Sequence, residues 1–277
     1  ISNSEFENND YGLVIGAADG VAVQNTNFSS EIFDVYNPNA SWSYVIYGRY
    51  DSHSNSASAN SYVEEQGGLL NAYFDSNDFS KGVSLDHNGG RLDQIHFTTN
   101  VFGPLSDGLN VGNSSGQDFR KLVVEGNAFS GVNGVALTTS MWSDAGLTDI
   151  DIIDNSFNVH DVGVNIPSST RVTGSINIER NIFSGSSEGV KTGYANSFNL
   201  SPVISGNLFY NVDTALSLPG TSPTISNNTF VDTNVIYDRI GTTWDWPNSQ
   251  GGTTETSFLN NDIVFSKSST FSVESEE

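Results

Sequence analysis

Three groups of residues in this chain have types and spacings that can do chemistry. The stretch KGVSLDHNGGRLDQIH gathers Lys81, Asp86, His87, Arg91 and His96. A basic side chain acting as base, helped by a cation, is what elimination on an acidic sugar requires. Without a substrate the same residues form a polar loop with one Asp–Arg surface pair, worth little energetically. Asp107, in SDGLNV, has the carboxylate that hydrolysis of a glycosidic bond uses, though that reaction takes two or three carboxylates close together. The third group is aromatic. IFDVYNPNASWSYVIYGRY carries Trp42, Tyr44, Tyr47 and Tyr50, amphipathic rings suited to stacking on the apolar face of a pyranose. They serve equally well packed inward as an irregular coil. Trp142, Trp244 and Trp246 decorate two later segments, the last two reading as part of a cap.

Metal chemistry has one candidate. Asp149, Asp151 and Asp154 in TDIDIID offer the oxygen ligands that calcium takes. Acidic residues facing outward from a strand are otherwise simply solvated. Cysteine is absent, which removes disulfides and thiolate metal sites.

The whole chain bounds its partners. Its 32 acidic and 10 basic residues give a formal charge of −22 over 277 residues. Such a surface repels nucleic acid and anionic lipid, both of which need a positive footprint. No run of apolar residues approaches membrane-spanning length, so membrane insertion is not expected. ISNSEF at the start lacks the basic and apolar regions of a signal peptide and reads as the middle of a repeat, as in a domain excised from something longer.

The elements that must hold these residues are repeats. Phe79, Phe102, Phe129, Phe157, Phe183, Phe209 and Phe230 are each preceded by two residues by an Asn, from Asn77 to Asn228, and by five residues by an apolar side chain. Phe6 and Phe28 keep the apolar part without the Asn, and a last unit uses Phe258, Asn261 and Ile263. A Gly-Val-x-Leu segment follows most of the Phe residues. Repeats of this length signal a solenoid. Their Asn, Ser, Thr, Gly, Val and Ile favour turns and strands over helices. In Leu122-Val123-Val124 the outer pair shares one face, yet Phe129 lies at an odd interval from Val124. Side chains alternate along a strand, so a bend must fall at Gly126-Asn127. Asn tolerates the left-handed conformation that such a corner needs, Gly adopts it freely, and stacked Asn amides can bond to one another.

Each unit is therefore expected to be one turn of a coil with three short strands. The pattern resembles the right-handed parallel β-helix superfamily of pectate lyases, polygalacturonases and phage tailspikes. That resemblance implies an all-β, single-stranded parallel solenoid over residues 1–264, of about ten or eleven coils and, at about 4.8 Å per coil, on the order of 50 Å long. An aromatic-rich insertion interrupts it at about 31–70, and 265–277 form a polar acidic tail. Ser106-Asp107-Gly108 is similar to the Asp-Gly segment of polygalacturonases, with Asn133-Gly134 where the paired Asp would stand on the next coil. Asp86-His87 is similar to the Asp-His of pectate lyases, whose Arg-containing motif is missing.

The functional expectation is an extracellular or cell-surface domain, structural or glycan-binding, within a larger adhesin-like protein. Its partners would be a polysaccharide or cell-surface glycan, with neighbouring domains or copies of itself. Glycan contact falls to Trp42, Tyr44, Tyr47 and Tyr50. The alternative is a polysaccharide lyase or glycoside hydrolase using Lys81, Asp86, His87, Arg91 and Asp107, with calcium as the candidate cofactor. A second alternative is a filament subunit whose open ends stack.

Overall fold

The computed structural model of the chain describes residues 1–7, 9, 11–15, 18–29, 33–37, 69–88, 92–115, 119–139, 147–166, 174–192, 201–219, 221–238 and 256–265. These residues form strands only, and every strand pairing is parallel. The chain is a parallel β-solenoid with three sheets. Sheet A takes the apolar pair before each Asn (Leu92–Thr98, Phe119–Glu125, Leu147–Ile153). Sheet B takes the Phe (Val101–Phe102, Ala128–Phe129, Ser156–Phe157), and sheet C the Val-x-Leu segment (Leu109–Ser115, Val135–Thr139, Val162–Ile166). Among the described residues the three sheets hold ten, ten and nine strands.

The interior is built from columns. Phe6, Phe28, Phe79, Phe102, Phe129, Phe157, Phe183, Phe209 and Phe230 stack in sequence, with centroids between 4.4 and 5.3 Å apart. Phe28 lies 5.3 Å from Phe79, so the step of 51 positions from one to the other makes one coil with a long connection. Within that stretch Phe33–Asn37 is a strand of sheet C, paired with Tyr11–Val14 and Val83–Asn88. Leu109 and Val111, Val135 and Leu137, and Val164 and Ile166 fill the interior from the third side.

The motif glycine is explained by the next coil: by its backbone carbonyls for Gly82 and Gly108, and by a carbonyl together with the motif phenylalanine further on. A Cβ on Gly134 would lie 2.5 Å from the Phe157 ring of the following coil. Gly163 stands likewise against Phe183, and Gly189 against Phe209. The ring occupies the space that any side chain would need.

Corner lengths differ sharply. Every passage from sheet A to sheet B takes two residues, from 25–26 to 260–261. Passages from B to C take three to six residues, whereas those from C to A run from three to 31. The constant corner carries the asparagines. Asn100 Oδ1 accepts from the Asn77 backbone N–H at 2.8 Å and from Asn77 Nδ2 at 2.9 Å. The second Nδ2 hydrogen of Asn100 goes to Phe74 O on the preceding coil. The same three bonds recur through Asn127, Asn155, Asn181, Asn207 and Asn228 to Asn261.

The left-handed residue of the corner is the one before the ladder asparagine: Ser76, Thr99, Gly126, Asp154, Arg180, Gly206, Asn227 and Asn260. The ladder asparagines themselves are absent from the positive-φ residues, so of the pair Gly126-Asn127 it is Gly126 that turns. The amide must point inward to reach both neighbouring coils, and the reversal is made one residue earlier, where the side chain points to solvent.

Asn155→Ala removes the acceptor for Asn127 N–H and Nδ2 and the donor for Val124 O. Leaving several buried polar groups unpaired costs on the order of 3 kcal/mol. The urea midpoint of Asn155→Ala should therefore fall well below that of wild type, while exposed Ser156→Ala stays within a few tenths of a kcal/mol. Thr192 tests the opposite case. Its buried hydroxyl has no hydrogen-bond partner, in a column otherwise filled by Val111, Leu137 and Ile166. Thr192→Val should raise stability by about 1 kcal/mol; a lower melting temperature would sink that account.

Candidate functional site

Titratable groups meet on the outer face of sheet A, in the column four residues before each ladder asparagine. Strand register sets Tyr73, His96, Val123, Asp151 and Asn177 side by side on successive coils. Alternation directs them outward because Phe74, Phe97, Val124, Ile152 and Ile178 point in. A second outward column arises from a bend inside the strand. Asn71, Gln94, Lys121 and Asp149 all have φ near 50° and are skipped by the pairing on either side. That bend brings Lys121 beside the first column.

The row has two ends. At one, the rings of Tyr73 and His96 stack 4.6 Å apart with planes 14° from parallel. Tyr73 is 46% exposed, and the residue opposite it on the preceding coil is the small Ala22. One face of the tyrosine ring therefore has no large neighbour within the column. At the other end Lys121 Nζ lies 2.6 Å from Asp151 Oδ2, and Asn177 Nδ2 donates to Asp151 Oδ1 at 2.8 Å.

The electrostatics follow from this arrangement. Burial, reinforced by the Lys121 charge, pushes the His96 imidazole below its ordinary value, with Glu125 pulling weakly the other way. His96 is therefore neutral at pH 7. Its Nε2 is buried and has no hydrogen-bond partner. Burial alone would raise Asp151, but the hydrogen bonds from Lys121 and Asn177 and the Lys121 charge outweigh it and hold the carboxyl below its usual range. The row thus offers a half-exposed aromatic ring, a neutral imidazole, an ammonium and an oriented carboxylate–amide pair. These can stack on a sugar ring and hydrogen-bond its hydroxyls, and a neutral imidazole can accept a proton.

The residues singled out in the sequence distribute differently. Asp107 is exposed, and its backbone N–H donates to Lys81 O at 2.9 Å, so these two stand at matching positions of successive coils. Asp86 and His87 lie in the strand Val83–Asn88, opposite Gly112 and Asn113. Lys81 precedes that strand, separated from it by Gly82, whose φ is positive. Arg91, Trp42, Tyr44, Tyr47 and Tyr50 lie outside the described residues.

The three acids proposed for calcium are drawn to separate partners. Asp149 accepts from Ser175 at one bend, Asp151 pairs with Lys121, and Asp154 is held by the Arg180 guanidinium at the other bend. Asp149 and Asp154 stand at positive-φ bends on either side of Asp151. Among the described residues no group of three or more His, Asp or Glu is placed to hold a metal ion.

Tyr73, Lys121 and Asn177 were not anticipated from the sequence, and Asp151 only as a calcium ligand. The signal was available, since each lies at a fixed offset from a ladder asparagine: four residues for the first column, six for Lys121.

A folded-state pKa below the unfolded value near 6.5 means that the unfolded chain binds more protons between those two values. The contribution of neutral His96 to stability is complete above pH 6.5 and is lost as pH falls through that window. Wild type should thus lose more melting temperature than His96→Asn between pH 7.5 and 5.5. By NMR titration, Lys121→Met should move the His96 midpoint upward without restoring the ordinary value, because burial is the larger cause. A midpoint that does not move would show that the Lys121 charge is not felt there.

Protein-family models, curated proteins and solved structures were all compared with the chain, and none matches it, so its fold rests on the repeat and on the strand register described above.

Proposed function

We propose that this chain is an extracellular or cell-surface domain of the right-handed parallel β-helix superfamily, with a structural and glycan-contacting role in a larger surface protein. The observation that carries the reading is the outer row of sheet A. A half-exposed tyrosine continues, through His96, toward hydrogen-bonding groups held by Lys121, Asp151 and Asn177. Aromatic rings with nearby oriented polar groups suit pyranose recognition, where apolar ring faces alternate with hydroxyls. The Asn and Phe columns beneath make a rigid support, so little is lost to ordering on binding. The acidic, cysteine-free composition supports an extracellular location.

A second reading, a polysaccharide lyase or glycoside hydrolase, draws on one specific feature of the same row. His96 is held neutral beside the Lys121 ammonium, and an imidazole in that state is competent as a general base.

One experiment separates the two. The purified chain is mixed with neutral and acidic polysaccharides, with and without calcium, while reducing ends, unsaturated uronates and retention are followed. The binding reading expects retention without cleavage, weakened about tenfold or more by Tyr73→Ala or by Trp42→Ala. Cleavage abolished by His96→Asn or Asp107→Ala would replace it with the enzymatic reading. Neither cleavage nor retention would remove both and leave a purely structural rod.

A further inference from the structure

A different face of the solenoid carries a second contact surface. On sheet B the outward positions are those one and three residues after each ladder asparagine. From the level of Val101 to that of Thr229, six coils, none of these positions holds Asp, Glu, Lys or Arg. In a chain of net charge −22 this is the one sheet face left uncharged over so many successive described coils; Asp78 and Asp262 stand where it stops. The larger side chains on it are Val101, Ile182, Leu208, Tyr210 and Val231, with Ile182 46% and Tyr210 51% exposed. Two of its hydroxyls are turned inward: Ser130 and Ser184 donate back to Phe102 O and Phe157 O on the preceding coils. The strip is therefore drier than its composition suggests.

We propose that this strip docks a single extended chain of a neutral polysaccharide. Charge decides the class of ligand. A uronate or sulfated glycan would bring anions to an acidic molecule and find no cation on the strip to meet them. Uncharged pyranoses present apolar C–H faces to Val, Ile, Leu and Tyr side chains, and their hydroxyls remain in water. Dimensions decide between a polymer and a second copy of this chain. Five steps of about 4.8 Å by two outward residues, about 7 Å, give a surface far below the roughly 800 Å² per partner of a stable protein interface. Pairing two such faces would also bring the acidic flanks of both copies together. The inference takes from the glycan-contacting reading its class of partner, and adds a face and a charge class.

The test uses the full chain, with insoluble cellulose, chitin and β-1,3-glucan as neutral probes and polygalacturonate as the acidic one. Ile182→Asp places an anion at the middle of the strip, and Tyr210→Ala removes its ring. Both side chains are half exposed, so melting temperatures should stay close to wild type. The expected result is retention of wild type by a neutral glycan, weakened about tenfold or more by either strip variant, independently of the loss that Tyr73→Ala causes at the sheet A row. Retention that survives both strip variants but falls in Tyr73→Ala would overturn the strip while leaving the glycan-contacting reading intact. Retention by polygalacturonate alone would overturn the charge argument. A wild-type dimer in sedimentation that Ile182→Asp splits would make the strip an interface between copies and overturn the proposal. Retention by none of the probes would overturn the strip and the broader reading together.

Discussion

The structure depends on how a parallel coil turns a tight corner without stranding its backbone. Between sheets A and B the chain turns in two residues, and the first of them keeps the backbone bonding between coils, as where Gly126 N–H donates to Ile153 O. The N–H of the second would be buried without a partner, at a cost repeated on every coil. The asparagine solves this with one side chain. Its Oδ1 takes the backbone N–H and the amide of the coil before, and its own amide spans a preceding carbonyl and the next Oδ1. Because each residue serves the one before it, the corner cannot vary on one coil alone. The constant length of this corner and the fixed offset between Asn and Phe follow from that.

Freedom is correspondingly concentrated elsewhere. The C-to-A connection varies in length from three to 31 residues. Outward positions on all three sheets are equally unconstrained by the core. Sheet A uses them for a row of titratable groups and sheet B for an uncharged strip, on coils whose inward residues are nearly the same. The motif glycine marks the limit of this freedom. Gly134, Gly163 and Gly189 face the phenylalanine rings, so the sheet C strand cannot exchange them without displacing the central stack.

Much of the fold was legible because its rules repeat. The Asn-x-Phe offset, the odd interval between Val124 and Phe129, and the substituted last unit with Phe258, Asn261 and Ile263 each give the strand and corner that the structure contains. The bend was placed at Gly126-Asn127 without deciding between them, because Asn and Gly share the left-handed preference and periodicity alone cannot say which of the two turns. The coil containing Phe33–Asn37 was hidden by its aromatic, irregular sequence and by the connection that follows. The candidate site was less legible. Lys121 and Asp151 are 30 residues apart and look unrelated until the chain is written one coil per line. Even then the bend that aims Lys121 toward Asp151 has no sequence signature, since Asn, Gln, Lys and Asp all occupy it.

The ladder also has a direction, and one residue shows what that requires. Thr26 occupies the asparagine position on the coil before Asn77: its N–H donates to Asn77 Oδ1, while its hydroxyl turns to Gln24 O. A threonine has no amide to span two coils, so it can precede the first asparagine of the column but cannot replace one within it. Ser4, the preceding residue at that position, turns its hydroxyl to Ser2 O in the same way. Interior asparagines must both give and receive along the axis, and only a carboxamide does so with a donor group of two hydrogens beside an acceptor with two lone pairs. Aspartate would place like charges one coil apart in a buried column, and glutamine would need a wider corner than two residues provide. The choice of asparagine at seven successive coils from Asn77 to Asn228 thus follows from the corner's length and the parallel stacking together.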